Sequence, residues 1–136
     1  MEIMFLIGRI IFGGFFIYSG LNHFLKLEAL AQYSAYKKVP APKLATAGSG
    51  LLMLLGGLSI LLGVLPVYGA WLIIIVLVPI AVMMHDYWNE KDAMARGNQQ
   101  AHFLKTIALA GAALIISAIP ATVENWGRYI VGPLTF

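Results

Sequence analysis

Three histidines are the side chains in this sequence best suited to chemistry, and each stands at the end of an apolar run. His23 ends the first run, His85 ends the third and His102 begins the fourth. Asn22, Lys26, Asp86, Gln99, Gln100 and Lys105 lie beside them in sequence. A neutral imidazole donates a hydrogen bond from one ring nitrogen and accepts at the other, and it titrates near neutrality. Groups of this kind can hold the polar head of a lipid-soluble ligand such as a quinone or quinol. His would then bond a carbonyl or hydroxyl, and Asp86 could orient His85 or accept a proton. Two other readings use the same residues. They could be ordinary helix-end groups, hydrated or bonded to loop backbone, or three metal ligands for zinc or copper. Single histidines on separate helices make no ligand-spacing motif, so no metal is expected. The absence of cysteine removes thiolate sites, iron–sulfur clusters and dithiol redox centres.

Arg9 is the sharpest charge inside an apolar run. It lies about 20 Å along a helix from His23 at 1.5 Å per residue, so it belongs to a different site. A charge at such depth costs about 2.5–3.5 kcal/mol on insertion scales, and it usually snorkels or faces the bundle. Snorkelling, a pair with backbone carbonyls or Glu124, and a contact with an anionic group all remain open. Gly13, four residues on, shares its face and favours close helix packing there.

The elements that must position these groups follow from composition. Of 136 residues, 60% are hydrophobic and 11% charged. Soluble domains average roughly 25% charged residues, so the composition excludes a disordered chain and argues strongly against a hydrated soluble enzyme. Four long apolar stretches read as transmembrane helices over about 3–23, 44–65, 68–88 and 102–119. The first is about 31 Å long, which matches a bilayer core of about 30 Å. Its charge lies within the run, so it reads as a retained span and not a cleaved signal. Residues 27–38 form an amphipathic helix at the headgroups, with Leu27, Leu30, Ala31 and Ser34 on one face. The Pro40-Ala41-Pro42 stop turns the chain back. Small residues crowd the second span, which makes it a central helix touching more than one neighbour. Pro79 should kink the third span or free the Ile75 carbonyl. Residues 89–100 read as a polar loop, and the tail from Ala121, with Trp126, Tyr129 and Phe136, reads as interfacial. The expectation is a single all-α integral membrane domain over residues 1–136, an antiparallel four-helix bundle. Antiparallel connectivity brings all three histidines to one membrane face.

Seven of the nine Lys and Arg residues, from Lys26 to Lys105, fall on the side of the first and third loops. The positive-inside rule makes that side cytoplasmic. The net charge of +3 therefore suits an anionic membrane surface. No basic stretch is long enough to track phosphates, so nucleic acid is not an expected partner.

The sequence resembles the DoxX family of small bacterial four-span membrane proteins. The matching pieces are Gly8-Arg9, Tyr18-Ser19-Gly20 and Lys26, then Tyr33, Pro40, Gly56-Gly57 and Gly63. His85-Asp86-Tyr87-Trp88, Gln99 or Gln100, Phe103-Leu104-Lys105 and Leu109-Ala110-Gly111 follow, so the likeness covers roughly residues 8–115. The resemblance implies a bundle in the cell (inner) membrane. It also implies an accessory subunit of a quinone-linked system such as archaeal thiosulfate:quinone oxidoreductase, without a covalent cofactor. Met53 departs from the pattern, because the family often has an acid there that would pair with the first-span arginine. The ligand-binding candidates are then Asn22, His23, His85, Asp86, His102 and Lys105, with quinone or quinol as ligand. Peripheral or membrane redox proteins are the expected partners, and a homo-oligomer stays open. The alternatives are a structural or assembly subunit without a ligand, or a small transporter. The sequence leaves open both a catalytic and a non-catalytic, accessory role.

Overall fold

The computed structural model describes residues 2–120. The expected interfacial tail and Glu124 lie outside the described residues. The described chain is all-α: α1 (Glu2–Leu25), α2 (Leu27–Tyr36), α3 (Pro42–Leu62), α4 (Pro66–Met84) and α5 (Ala93–Ser117), with a short 3-10 turn at Tyr87–Asn89. α1, α3, α4 and α5 are each long and apolar enough to cross a bilayer. This is a multi-pass membrane protein.

Proline sets two of the starts. α3 and α4 both open on a proline, where a missing N–H costs nothing because the first turn has no intrahelical acceptor for it. The third span therefore begins at Pro66, before the expected Tyr68 or Ala70, and the turn is confined to Gly63–Leu65. Gly63 ends α3 in the left-handed region (φ 75°), and its N–H returns to the Ser59 carbonyl at 2.9 Å.

A larger difference concerns the fourth span. α5 begins at Ala93 and not near His102, so most of the expected polar loop is helix. Asp92 caps it by accepting from the Ala95 N–H at 2.9 Å. The apolar run marked where the helix enters lipid, whereas the helix itself starts more than two turns earlier.

The four spans form a row. α1 packs on α3, α3 on α4, and α4 on α5, while α2 lies against α3. α1 and α5, at the two ends of the row, are not packed along one another. The α1–α3 contact is made by glycines in antiparallel register, Gly13 against Gly57 and Gly20 against Gly50. A Cβ on Gly57 would sit 2.7 Å from the Gly13 carbonyl oxygen, and one on Gly20 would sit 2.6 Å from that of Gly50. The two backbones touch. Such close approach lets dispersion bind helices in lipid, where no hydrophobic effect separates them from their solvent. On the other side of α3, Gly56 receives Ile73 of α4. Phe16, Ile60 and Ile73 are fully buried in the resulting core.

Candidate functional site

The core does not fill the bundle to both ends. Towards the end of α1 and α4 the helices surround a cavity of about 1050 Å³. Its walls are mostly apolar: Phe15 and Phe16 from α1, Leu52 and Met53 from α3, and a long strip of α4 from Ile75 to Met84. Leu30, Tyr33 and Ser34 of α2 close it from the membrane surface. That helix turns Ala31 and Ser34 inward, the face its amphipathic pattern marked.

All three histidines line this cavity. His23, in the last turn of α1, places Nδ1 2.7 Å from the Ser19 carbonyl oxygen. His85, the residue after α4, stacks on His102 of α5 with ring centroids 5.2 Å apart and planes 20° from parallel. Lys105, one turn further along α5, also lines the cavity. Among the described residues no group of three His, Asp or Glu side chains is spaced to hold a metal ion. The three-ligand metal reading therefore finds no geometry to support it.

Two candidate residues sit elsewhere. Asn22 is half-buried beside His23 but does not line the cavity. Asp86 does not approach the His85 ring nitrogen as the neighbouring positions suggested. It pairs with Lys37 of the α2 C-cap at 2.5 Å and accepts from Asn89 Nδ2 at 2.9 Å. The position beside His85 belongs to Gln99, whose Oε1 lies 3.0 Å from Nδ1. Gln99 also donates from Nε2 to the Tyr33 hydroxyl at 3.0 Å, and Tyr33 donates to the Met84 carbonyl at 3.3 Å. A single chain of bonds thus links α5, α2 and the end of α4. Tyr87 and Trp88 pack edge-on against Phe103, outside the cavity, so neither offers a ring to its contents.

Lys37 fastens the lid helix. Its side chain is 8% exposed and also lies 3.8 Å from Glu90. Burial alone would lower its pKa, but the bond to Asp86 and the charges of Asp86 and Glu90 outweigh this and hold it above the ordinary 10.5. A raised lysine contributes stability that is complete below its unfolded value and is lost as pH rises through the folded one. Lys37→Met should lower stability by about 1–3 kcal/mol by leaving Asp86 unpaired. The difference from wild type, followed by thermal unfolding in detergent, should close as pH passes above about 10.5. A difference that persists there would mean that the ion pair is not its source.

Arg9 lies at the opposite end of α1 and is not part of the cavity. It is 4% exposed, donating from Nε to the Ile60 carbonyl at 3.0 Å and from Nη2 to that of Leu61 at 2.8 Å. Both acceptors belong to the last turn of α3, where carbonyls lack intrahelical donors. Among the described residues Arg9 thus bonds the backbone carbonyls of α3, and the alternative partner Glu124 lies outside them. Met53, at the position where an acid was expected, is buried core.

Comparison with known proteins adds one match: a family model described as DoxX fits residues 4–86. No curated protein and no solved structure matches the chain. The fitted stretch ends at Asp86, so Gln99, His102 and Lys105 lie beyond it.

Proposed function

The chain belongs to the DoxX family, and from that membership we propose that it is a redox-associated membrane subunit that binds a quinone-like lipid in the cavity beneath α2. The observation that carries this reading is the pairing of an apolar chamber of about 1050 Å³ with imidazoles at its surface end. Ligand sites for lipophilic molecules have this form, mostly apolar with a few converging polar groups. His23, His85, His102 and Lys105 would hold the polar head, and the strip from Ile75 to Met84 would receive the body. Asp86 serves by pinning Lys37, and Asn22 by its place beside His23. Pro79 has no N–H for the Ile75 carbonyl, and both residues line the chamber, so a backbone acceptor is available there as well.

A bound quinone would supply two-electron carrier chemistry. A chain without cysteine offers no thiolate for a cluster, so electrons would come from partner proteins. In this reading α2 and the first and third loops face the cytoplasm from the inner membrane, which the excess of Lys and Arg on that side supports. His85→Ala should weaken binding of a short-chain hydroquinone by about tenfold, the worth of one hydrogen bond with its ring contact. Calorimetry on the purified protein, with the unfolding temperature as control, measures it. Unchanged affinity in a folded variant would refute this site.

A further inference from the structure

We propose that the cavity selects a head group that donates hydrogen bonds, a lipophilic hydroquinone in preference to the quinone, because two of its imidazoles and four of its hydroxyls have committed their protons to the protein and are left as acceptors. This rests on the cavity being the ligand site argued above.

The argument starts from the Met84 carbonyl, which can only accept. The Tyr33 hydroxyl has one proton and gives it to Met84, so the same oxygen must accept from Gln99. Gln99 therefore turns its NH2 to Tyr33 and its carbonyl oxygen to His85. A carbonyl facing Nδ1 requires a proton on Nδ1, and neutral His85 is then left with a bare lone pair on Nε2. His23 reaches the same state by a shorter route, since its Nδ1 faces the Ser19 carbonyl. Among the described residues neither Nε2 has a protein partner.

The hydroxyls of the lining follow the same rule. Thr46 gives its proton to the Pro42 carbonyl, so Ser34 must be the donor in the 3.3 Å Ser34–Thr46 contact. Ser49 donates to the Thr46 carbonyl and Thr106 to that of His102. Each commits its proton to the wall and can meet a guest only as an acceptor. Lys105, His102 and Ser19 remain able to donate. A hydroxyl head satisfies both sides, giving its proton to an imidazole and accepting at oxygen from Lys105. A quinone carbonyl cannot, and it would leave the two Nε2 lone pairs buried without a partner. Tyr33 and Gln99 are positioning residues in this scheme, acting through His85.

The test compares decylhydroquinone, its dimethyl ether and decylquinone on the full-length protein in detergent. Hydroquinone should bind about tenfold more tightly than either of the others. Tyr33→Phe, or Gln99→Leu should the first fail to fold, should bring that ratio down towards one. Nitrogen-15 spectra of histidine-labelled protein provide a readout independent of any ligand. His23 and His85 should both appear as the Nδ1–H tautomer, and Tyr33→Phe should turn His85 alone into a mixture. Binding of all three probes with equal strength, or His85 found as the Nε2–H tautomer, would overturn the selectivity while leaving the site intact. Failure of all three to bind would overturn the ligand reading itself, and this one with it.

Discussion

Valine at Gly57 should prevent the bundle from assembling. The first added carbon would stand 2.7 Å from the Gly13 carbonyl oxygen and 2.9 Å from the Ile17 backbone nitrogen. Both are backbone atoms of α1 and cannot swing away as a side-chain tip would. Relief requires the two helices to separate along their whole contact, and the matched pair Gly20–Gly50 would then open as well. The cost should exceed about 3 kcal/mol, the upper range for overpacking a close contact. That is a large share of the margin of a small protein. Denaturant titration of reconstituted protein, or loss of a monodisperse peak in mild detergent, would report it. Gly48→Ala is the control. Nothing lies within 4 Å of a Cβ at that position, so the change should be neutral or slightly stabilising. Equal effects of the two substitutions would refute the claim that glycine is needed at Gly57 for contact.

The second large effect is expected from Arg9→Met. Methionine fills similar space and removes a charge from the membrane, so on hydrophobicity alone it should stabilise. The geometry argues for the opposite sign. Two carbonyls at the end of α3 would lose their donor in a place where water cannot replace it. Charge-assisted bonds are worth about 1.5–3 kcal/mol each. Against the relief of burying an arginine, a net loss of about 2–4 kcal/mol is expected. Arg9→Lys should recover only part of it, since an ammonium does not present the forked pair of donors that reaches adjacent carbonyls. A neutral or stabilising methionine would show that the α3 end is satisfied by other means.

The spans were legible in the sequence because lipid imposes a length of apolar chain, and that constraint is local. The inward face of α2 was legible for the same reason, since Leu27, Leu30, Ala31 and Ser34 repeat at helical spacing. The convergence of His23, His85 and His102 followed from counting antiparallel passes. What escaped was set by contacts remote along the chain. Gln99 read as one of several polar loop residues, and its place beside His85 depends on α5 starting at Ala93. Asp92 carries a usable signal, an acidic cap ahead of a good helix former, but the polarity of the stretch around it masks that signal. The Tyr33 link to Gln99 spans 66 positions and has no local signature. Adjacency suggests that Asp86 could orient His85, whereas the chain turns just there and delivers it to Lys37. For Arg9 the residue type was informative, but its bonds to the Ile60 and Leu61 carbonyls depend on the end of α3, remote along the chain.

The arrangement of the four spans in a row has a consequence for how affinity is measured. Because α1 and α5 are not packed along one another, a guest should reach the chamber they flank sideways from the acyl phase, without traversing water. Its occupancy is then governed by mole fraction in the surrounding amphiphile and not by bulk molarity. Doubling the detergent at fixed total ligand should roughly double the apparent Kd. Constants from micelles and from bilayers will agree only after each is referred to the lipid-phase concentration.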